Sequence, residues 1–196
     1  CALPICLLAT SQAGQRQPRA LVLVPTRELA AQVQESIRTY GKYLRMRSTV
    51  IFGGVGMQPQ VDTLRRGVDI VVATPGRLLD HAGQRTIDLR HVEILVLDEA
   101  DRMLDMGFIH SIRRIVALVP KQRQTLLFSA TMPSEIAALT KAYLSNPERV
   151  EVTPQATTVE KIDQKVIHVE HARKSSLLAH LLSDAGMSRA IVFTRT

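Results

Sequence analysis

The chain has 196 residues, of which 45% are hydrophobic, so it can bury the core of one globular domain, and disorder is excluded as its main state. It carries 25 Lys and Arg residues against 18 Asp and Glu residues, and the formal net charge of +7 favours a polyanionic partner. No apolar run approaches the roughly 20 residues that a membrane-spanning helix needs.

The apolar N-terminal stretch contains both cysteines, Cys1 and Cys6, without a Cys-x-x-Cys spacing or a nearby histidine cluster. We interpret them as small core residues of a protein in a reducing compartment, which predicts a cytoplasmic location. No basic residues and no initiator Met precede this stretch, so the sequence is expected to begin inside a domain rather than with a signal peptide. The six histidines are scattered and predict no metal site.

Short apolar segments alternate with helical patterns, which predicts an α/β fold: a doubly wound parallel sheet built from βαβ units. Leu29, Val33 and Ile37 recur at helical spacing after the first strand and predict an amphipathic helix. Another helix is expected to begin near Pro133. The predicted strands are residues 21–24, 49–52, 70–73, 94–97 and 126–128.

The composition changes after the predicted first domain, residues 1–152, whose last segment, 149–152, resembles a strand. Residues 153–164 are rich in Thr, Pro and Gln, which is typical of a linker. Residues 165–196 predict the beginning of a second α/β domain, with strands at 165–169 and 190–193 and a helix at 175–182. This piece is too short to close a core, so its apolar faces should lack partners.

Residues suited to phosphate follow each of the first three predicted strands. Thr26 and Arg27 supply a hydroxyl and a cation at a helix start, where backbone N–H groups are unpaired. Taken alone, each segment could equally be a helix cap or a turn. Their repetition predicts a surface that grips a sugar-phosphate backbone without reading base edges. The candidate residues are Pro25, Thr26, Arg27, Gly53, Gly54, Thr74, Pro75, Gly76 and Arg77.

Carboxylates follow the fourth predicted strand, where open α/β sheets bind ligands. In phosphoryl-transfer sites of this architecture, the Asp at such a strand end holds Mg²⁺ and a neighbouring carboxylate activates the attacking water. Asp98 suits the metal role and Glu99 the role of the base. A buried strand followed by a solvated, acidic helix start is the alternative. Ser129 and Thr131, after the fifth strand, could hydrogen-bond to Asp101 and relay the state of a nucleotide.

These segments together resemble the motifs of the DEAD-box RNA helicases, of which the bacterial RhlE-type group is the most similar. The acids at 98–101 spell D-E-A-D, and six segments resemble motifs Ia, GG, Ib, II, III and IV of the family in order. The resemblance covers essentially the whole chain. The segments are residues 25–30, 53–54, 74–77, 98–101, 129–131 and 193–196.

The resemblance implies a RecA-like first domain, ATP and Mg²⁺ as cofactors, and RNA as the partner, held by its backbone. It implies that Asp98 and Glu99 organise the metal and activate water, while Asp101, Ser129 and Thr131 couple ATP to strand separation. Thr194, in the segment similar to motif IV, is implied to contact RNA.

The family's phosphate loop, Gly-x-x-x-x-Gly-Lys-Thr, does not occur in this sequence, and Cys1 begins a segment similar to the helix that follows that loop. We therefore expect the isolated chain to be inactive as an ATPase, although its parent protein is expected to be one. Two alternatives stay open: a DNA-directed helicase or translocase of the same superfamily, and a non-catalytic RNA-binding module. A metal-dependent nuclease is disfavoured, because no further Asp, Glu or His clusters supply ligands for a second metal ion.

Overall fold

The structure is a computed structural model that describes residues 17–151, 165–183 and 189–194. The chain divides into two compact units, Cys1–Glu148 and Arg149–Thr196. Both cysteines and the predicted linker, 153–164, lie outside the described residues.

The first unit contains one five-stranded sheet in which all neighbouring strands are parallel, as the sequence predicted. The order across the sheet is β2-β3-β1-β4-β5. Ala20, the first residue of β1, pairs with Ile70 on one side and Ile94 on the other. The strands are β1 Ala20–Leu23, β2 Ser48–Ile51, β3 Ile70–Ala73, β4 Ile94–Leu97 and β5 Gln124–Leu127.

The three central strands, β1, β3 and β4, are buried along their whole length. Their continuous apolar sequences are typical of parallel strands that are covered on both faces. The edge strand β2 alternates instead between buried and half-buried residues, and β5 is less buried still.

Helices cover both faces of this sheet. On one face, α1 packs Ala30, Val33 and Ile37 against the strands. On the other face, Leu78 of α3 and Ile112 of α5 lie in a second core cluster. The helices of the first unit are α1 Arg27–Tyr40, α2 Gln58–Arg65, α3 Pro75–Gly83, α4 Ala100–Asp105, α5 Ile109–Val116 and α6 Ser134–Tyr143. None of the helices in the described ranges is both long and apolar enough to cross a bilayer.

Because the strands are parallel, they all begin on one side of the sheet and all end on the opposite side. We call the side where the strands begin the amino edge and the side where they end the carboxyl edge. At the carboxyl edge the chain leaves β1 toward β2 and β3, but it leaves β4 toward β5 on the opposite side. A crevice at such a reversal is where open α/β sheets bind ligands. The fold therefore places a ligand site between the ends of β1 and β4.

The second unit contains a 3-10 turn, His171–Arg173, and α7, Lys174–Leu182, which agrees with the predicted helix. The predicted strands at 165–169 and 190–193 are wrong, and so is the predicted strand at 149–152 over its described residues, 149–151. A strand needs a neighbour to complete its backbone hydrogen bonds, and none pairs with these segments in the described ranges. Val166 and Phe193 are accordingly 85% and 91% exposed.

Candidate functional site

Asp98 lies at the carboxyl edge, directly after β4. Its backbone N–H donates to the carbonyl of Leu23 in β1 over 2.9 Å, so the parallel pairing continues up to this residue. Its Oδ1 accepts a hydrogen bond from the N–H of Glu99 over 3.1 Å. Burial raises the pKa of the Asp98 carboxyl, and the nearby charge of Glu99 adds to the rise, although the backbone hydrogen bond opposes it. A nearby cation would relieve the cost of holding this half-buried carboxylate ionised.

Glu99 has a left-handed backbone conformation, with φ 49° and ψ 53°, and forms the N-cap of α4. A residue with a side chain is strained in this region by roughly 1–2 kcal/mol. Strained residues are common at functional sites, where the surrounding structure holds a side chain in a position that the local sequence would not give it. The Glu99 Oε2 lies 3.1 Å from Nη1 of Arg102, one turn along α4.

Asp101 connects the ends of β4 and β5. Its Oδ2 accepts hydrogen bonds from the N–H and the hydroxyl of Thr131, over 2.9 and 2.8 Å. The Asp101 N–H donates to the hydroxyl oxygen of Ser129, which in turn donates to the carbonyl of Thr131. Partial burial acts to raise the pKa of Asp101, but the hydrogen bonds from Thr131 outweigh it and lower the pKa. The hydrogen bonds that the sequence suggested between these segments are therefore present.

The loop after β1 provides both a cap and an exposed cation. Thr26 accepts a hydrogen bond from the N–H of Leu29 over 3.2 Å and so caps α1. Arg27 is exposed and its Nε donates to Glu28 Oε1 over 2.7 Å, a contact that raises the pKa of Arg27 and lowers that of Glu28. Pro25 is buried beneath this turn.

The loop after β2 lies beside this cation. Gly53 and Gly54 are exposed, and Gly54 has φ +80°, a conformation that favours glycine. A Cβ atom at Gly54 would lie 3.7 Å from Nη1 of Arg27. Arg77, after β3, donates from both of its Nη atoms to the carbonyl of Val55 over 3.0 Å. The Arg77 side chain is only 13% exposed, so its observed role is to hold this loop.

The loop after β3 opens α3. Thr74 occupies the N-cap position, but its side chain makes no capping hydrogen bond. Pro75 is buried in the first turn, and Gly76 is exposed beside it. Of the predicted backbone-binding residues in this unit, those open to a ligand are Thr26, Arg27, Gly53, Gly54, Thr74 and Gly76.

A buried hydrogen-bond chain supports the same loop from below, and sequence reasoning missed it. His81 of α3 is fully buried, with Nδ1 2.7 Å from the Thr86 hydroxyl and Nε2 3.2 Å from Oε1 of Gln60. The Gln60 Nε2 donates to the carbonyl of Phe52, just before the glycine pair, which turns its Oε1 toward His81. Burial lowers the pKa of His81, and the charge of Arg77 adds to this effect. The only sequence signal was a histidine three residues after Leu78 on an apolar helix face.

Thr194 is exposed in the second unit, and Arg195 lies outside the described residues. Within the ranges that the structure describes, no group of three or more His, Cys, Asp or Glu side chains could enclose a metal ion.

Comparison with known proteins gives consistent matches. The family model for "DEAD/DEAH box helicase" matches residues 1–139. The ATP-dependent RNA helicase DbpA of Bacillus subtilis is 42% identical over 194 residues, which are 99% of this chain and 40% of that protein. The DEAD-box ATP-dependent RNA helicase 30 of Oryza sativa is 47% identical over 181 residues, which are 91% of this chain and 27% of that protein.

Solved structures agree with this likeness. A DEAD box protein from Methanococcus jannaschii has a TM-score of 0.72 and 36% identity, and covers 93% of this chain and 49% of its own. The yeast DEAD-box splicing factor Prp28 has a TM-score of 0.69 and 33% identity, and covers 72% of this chain and 35% of its own. The first unit therefore has the RecA-like fold of these domains. The chain spans 27% to 40% of the length of the curated relatives given above.

Proposed function

Because the chain belongs to the DEAD/DEAH box helicase family, we propose that it is part of an ATP-dependent RNA helicase, which couples RNA-stimulated ATP hydrolysis to local duplex unwinding. One observation carries the proposal: at the carboxyl edge, Asp101, the last of the acids after β4, accepts hydrogen bonds from Thr131 just after β5. The exposed turns after β1, β2 and β3 lie at the same edge of the sheet. We infer that the response to the nucleotide and the binding of RNA share this edge of the sheet.

For hydrolysis, we assign Asp98 to the Mg²⁺ ion and Glu99 to the attacking water. Mg²⁺ in nucleotide sites keeps several waters and is held by one or two carboxylates together with substrate phosphates, so the adjacent carboxylates of Asp98 and Glu99 after β4 fit it. The ion would supply charge neutralisation at the phosphates. Asp98 holds its carboxylate at the end of β4, and Glu99 accepts the proton of the water.

For coupling, we assign Asp101, Ser129 and Thr131 to a relay between the nucleotide and RNA. Asp101 lies two residues after Glu99 and bonds directly to the backbone and hydroxyl of Thr131. A shift of α4 during the ATP cycle would therefore move the segment after β5. We propose that the hydrogen-bonded pair of Asp101 and Thr131 adopts two arrangements during the cycle.

For RNA binding, we assign the half-buried Thr26 and the exposed Arg27, Gly54 and Gly76 to the sugar-phosphate backbone. Hydroxyls, guanidinium groups and backbone N–H groups recognise phosphate without reading base edges, so binding should be independent of sequence. Pro25, Gly53, Thr74, Pro75 and Arg77 belong to the same turns, and Arg77 acts by holding the loop at Val55.

Several finer assignments are also proposals. We propose that residues 165–196 begin a second RecA-like domain after a linker at 153–164, in which Thr194 contacts RNA. A cytoplasmic location and membership of the RhlE-type group are proposals too. The relatives given above include DbpA of Bacillus subtilis. The DEAD-box ATP-dependent RNA helicase CshA of Geobacillus kaustophilus is 44% identical to this chain over 178 residues. Neither name specifies the RhlE-type group.

The test uses Glu99→Gln in the full-length protein that carries this chain together with a phosphate loop. The substitution removes the base and leaves the shape, so we expect kcat for RNA-stimulated ATP hydrolysis to fall by about 10²- to 10⁴-fold while the Kd for ATP changes little. Phosphate release with and without RNA, and equilibrium binding of ATP, measure the two quantities. Glu148→Gln, at an exposed position of the first unit, is the matched control.

Loss of ATP binding with an unchanged kcat would contradict the assignment of Glu99. Unwinding assays on matched RNA and DNA duplexes separate the RNA helicase from a DNA-directed enzyme of the same superfamily. Full activity of the Glu99→Gln protein would favour the non-catalytic alternative for this edge.

A further inference from the structure

A second exposed cationic surface lies at the amino edge of the sheet, where α1 ends and the chain turns into β2. Tyr40 and Tyr43 are 63% and 89% exposed there. Lys42 and Arg45 are exposed in the same turn, and Arg38 is exposed in the last turn of α1. We call these residues the amino-edge loop: Arg38, Tyr40, Lys42, Tyr43 and Arg45.

The charge of the amino-edge loop is not neutralised by its sequence neighbours. No acidic residue occurs between Glu35 and Asp62. Asp69 is close in space, but it is buried and accepts a hydrogen bond from the backbone N–H of Arg47 over 2.7 Å. The Arg47 side chain donates to the carbonyl of Arg66 over 2.7 Å, which adds further positive charge at this edge. The loop thus presents a positive field to solvent.

The two tyrosines are exposed beside these cations instead of packing into the core. The Lys42 ammonium lies 5.4 Å from the centre of the Tyr43 ring, so a cation and an aromatic face are presented together. Proteins that hold single-stranded nucleic acid combine such rings, on which bases stack, with cations that track the backbone. An acidic peptide would use the cations but would have no need of two exposed rings.

We propose that the amino-edge loop binds single-stranded RNA, with bases stacked on Tyr40 and Tyr43 and phosphates contacted by Arg38, Lys42 and Arg45. The choice of RNA as the ligand rests on the proposed function. The site itself is separate, because α1, with 14 residues, spans about 21 Å from the carboxyl edge to this loop. A strand of about six stacked nucleotides covers that distance, so one RNA molecule can contact both edges.

The experiment measures binding of a fluorescent 20-nucleotide oligo(U) to the purified protein without ATP over a range of salt concentrations. Tyr40→Ala combined with Tyr43→Ala removes stacking, and we expect the Kd to rise about tenfold. Lys42→Glu combined with Arg45→Glu removes two phosphate contacts, and the slope of log K against log salt should fall in magnitude by about 1.4. The control is Arg113→Glu combined with Arg114→Glu, two exposed residues of α5 on the opposite face of the sheet, with the same charge change.

Three outcomes overturn the inference. If both amino-edge variants bind like the wild type while Arg27→Glu abolishes binding, RNA contacts the carboxyl edge alone, and the proposed function stands without this site. If the charge variant weakens binding but the tyrosine variant does not, the loop attracts any polyanion and has no stacking role. If the α5 control weakens binding as much as the charge variant of the loop, the effect is one of net charge.

A fourth outcome would support this site. If both loop variants bind oligo(U) more weakly and the Arg27→Glu protein binds like the wild type, the amino-edge loop binds RNA, and the assignment of RNA binding to the carboxyl edge is contradicted.

Discussion

The two edges of the sheet use charged residues in opposite ways. At the amino edge, the buried Arg19 donates from Nε and Nη2 to Glu93 over 2.8 and 2.5 Å, and so ties the start of β1 to the residue before β4. At the carboxyl edge, the half-buried Asp98 has a raised pKa and the next residue, Glu99, is strained. The difference teaches that one sheet can separate stability from chemistry: the buried Arg19 is paired where β1 begins, whereas Asp98 and Glu99 are held at a cost where β4 ends.

Among the changes that test this comparison of the two edges, the largest effect is expected from Asp101→Asn, which would break the link between β4 and β5 at the carboxyl edge. An amide has one acceptor oxygen, so the Thr131 N–H and hydroxyl would meet an NH₂ donor or force the N–H of Arg102 to lose its acceptor. We expect RNA-stimulated ATP hydrolysis and duplex unwinding by the full-length protein to fall by about 10²-fold, with little change in Tm.

Asp105→Asn, an exposed change in the same helix, is the control for charge and helix propensity. Urea unfolding and phosphate release measure the two effects. The separation of the two edges would be refuted if Asp101→Asn lowered the free energy of unfolding by more than it raised the activation free energy of hydrolysis.

The next effect concerns the amino edge, where Glu93→Ala should reduce stability without reducing activity. The Arg19 side chain is 8% exposed and would lose its ion-pair partner. The Glu93 side chain is 54% exposed, so the loss of its own packing contacts should change the free energy of unfolding little. Removal of one partner of a fully buried pair costs 3–5 kcal/mol, and the exposure of Glu93 reduces the expected loss in the free energy of unfolding to about 2 kcal/mol. Thermal unfolding should show a Tm lower by about 4–8 °C.

Glu151→Ala is the control, because Glu151 pairs with Arg149 over 3.1 Å at the surface, with both side chains mostly exposed. Exposed pairs contribute little, so the Tm should stay nearly constant. Equal losses in the two variants would mean that burial of Arg19 does not decide the strength of its pair.

The sheet could be predicted from the sequence because its central strands are apolar throughout. Residues 70–73 and 94–97 were predicted with the bounds that β3 and β4 have, since a short run rich in branched apolar residues between turns is typical of a buried strand. The edge strand β5 was predicted two residues late, because it begins with Gln124 and Thr125, which carry no apolar signal. The segments 165–169 and 190–193 are apolar too, yet sequence cannot tell whether a partner strand exists.

The carboxyl edge could be predicted only as far as residue types determine it. Strand ends meet at one edge by topology, so the proximity of Asp101 and Thr131 follows from the sequence pattern. The contact of Arg77 with Val55 joins residues 22 positions apart and depends on the shape of a loop. The positive φ of Glu99 could not be foreseen either, because left-handed residues are expected at glycine.

The smallest effect concerns this strained residue, and it brings the comparison of the edges down to one backbone position. Glu99→Gly should leave the free energy of unfolding about 1 kcal/mol higher than Glu99→Ala does, because only glycine adopts a positive φ without strain. Arg85, at φ 56° in the exposed turn after α3, is the matched control, and Arg85→Gly should exceed Arg85→Ala by a similar amount.

Urea unfolding of the four variants measures both differences, and phosphate release by the corresponding full-length proteins measures activity. At position 85 relief of strain should leave hydrolysis unchanged, whereas at position 99 both variants should lose it. If Glu99→Gly proved less stable than Glu99→Ala, the left-handed conformation would carry no strain, and the backbone at the carboxyl edge would have to be held by contacts other than the side chain at 99. If instead the glycine gain appears at both positions and activity is lost only at 99, the strain at Glu99 is a cost that the fold bears for its chemistry.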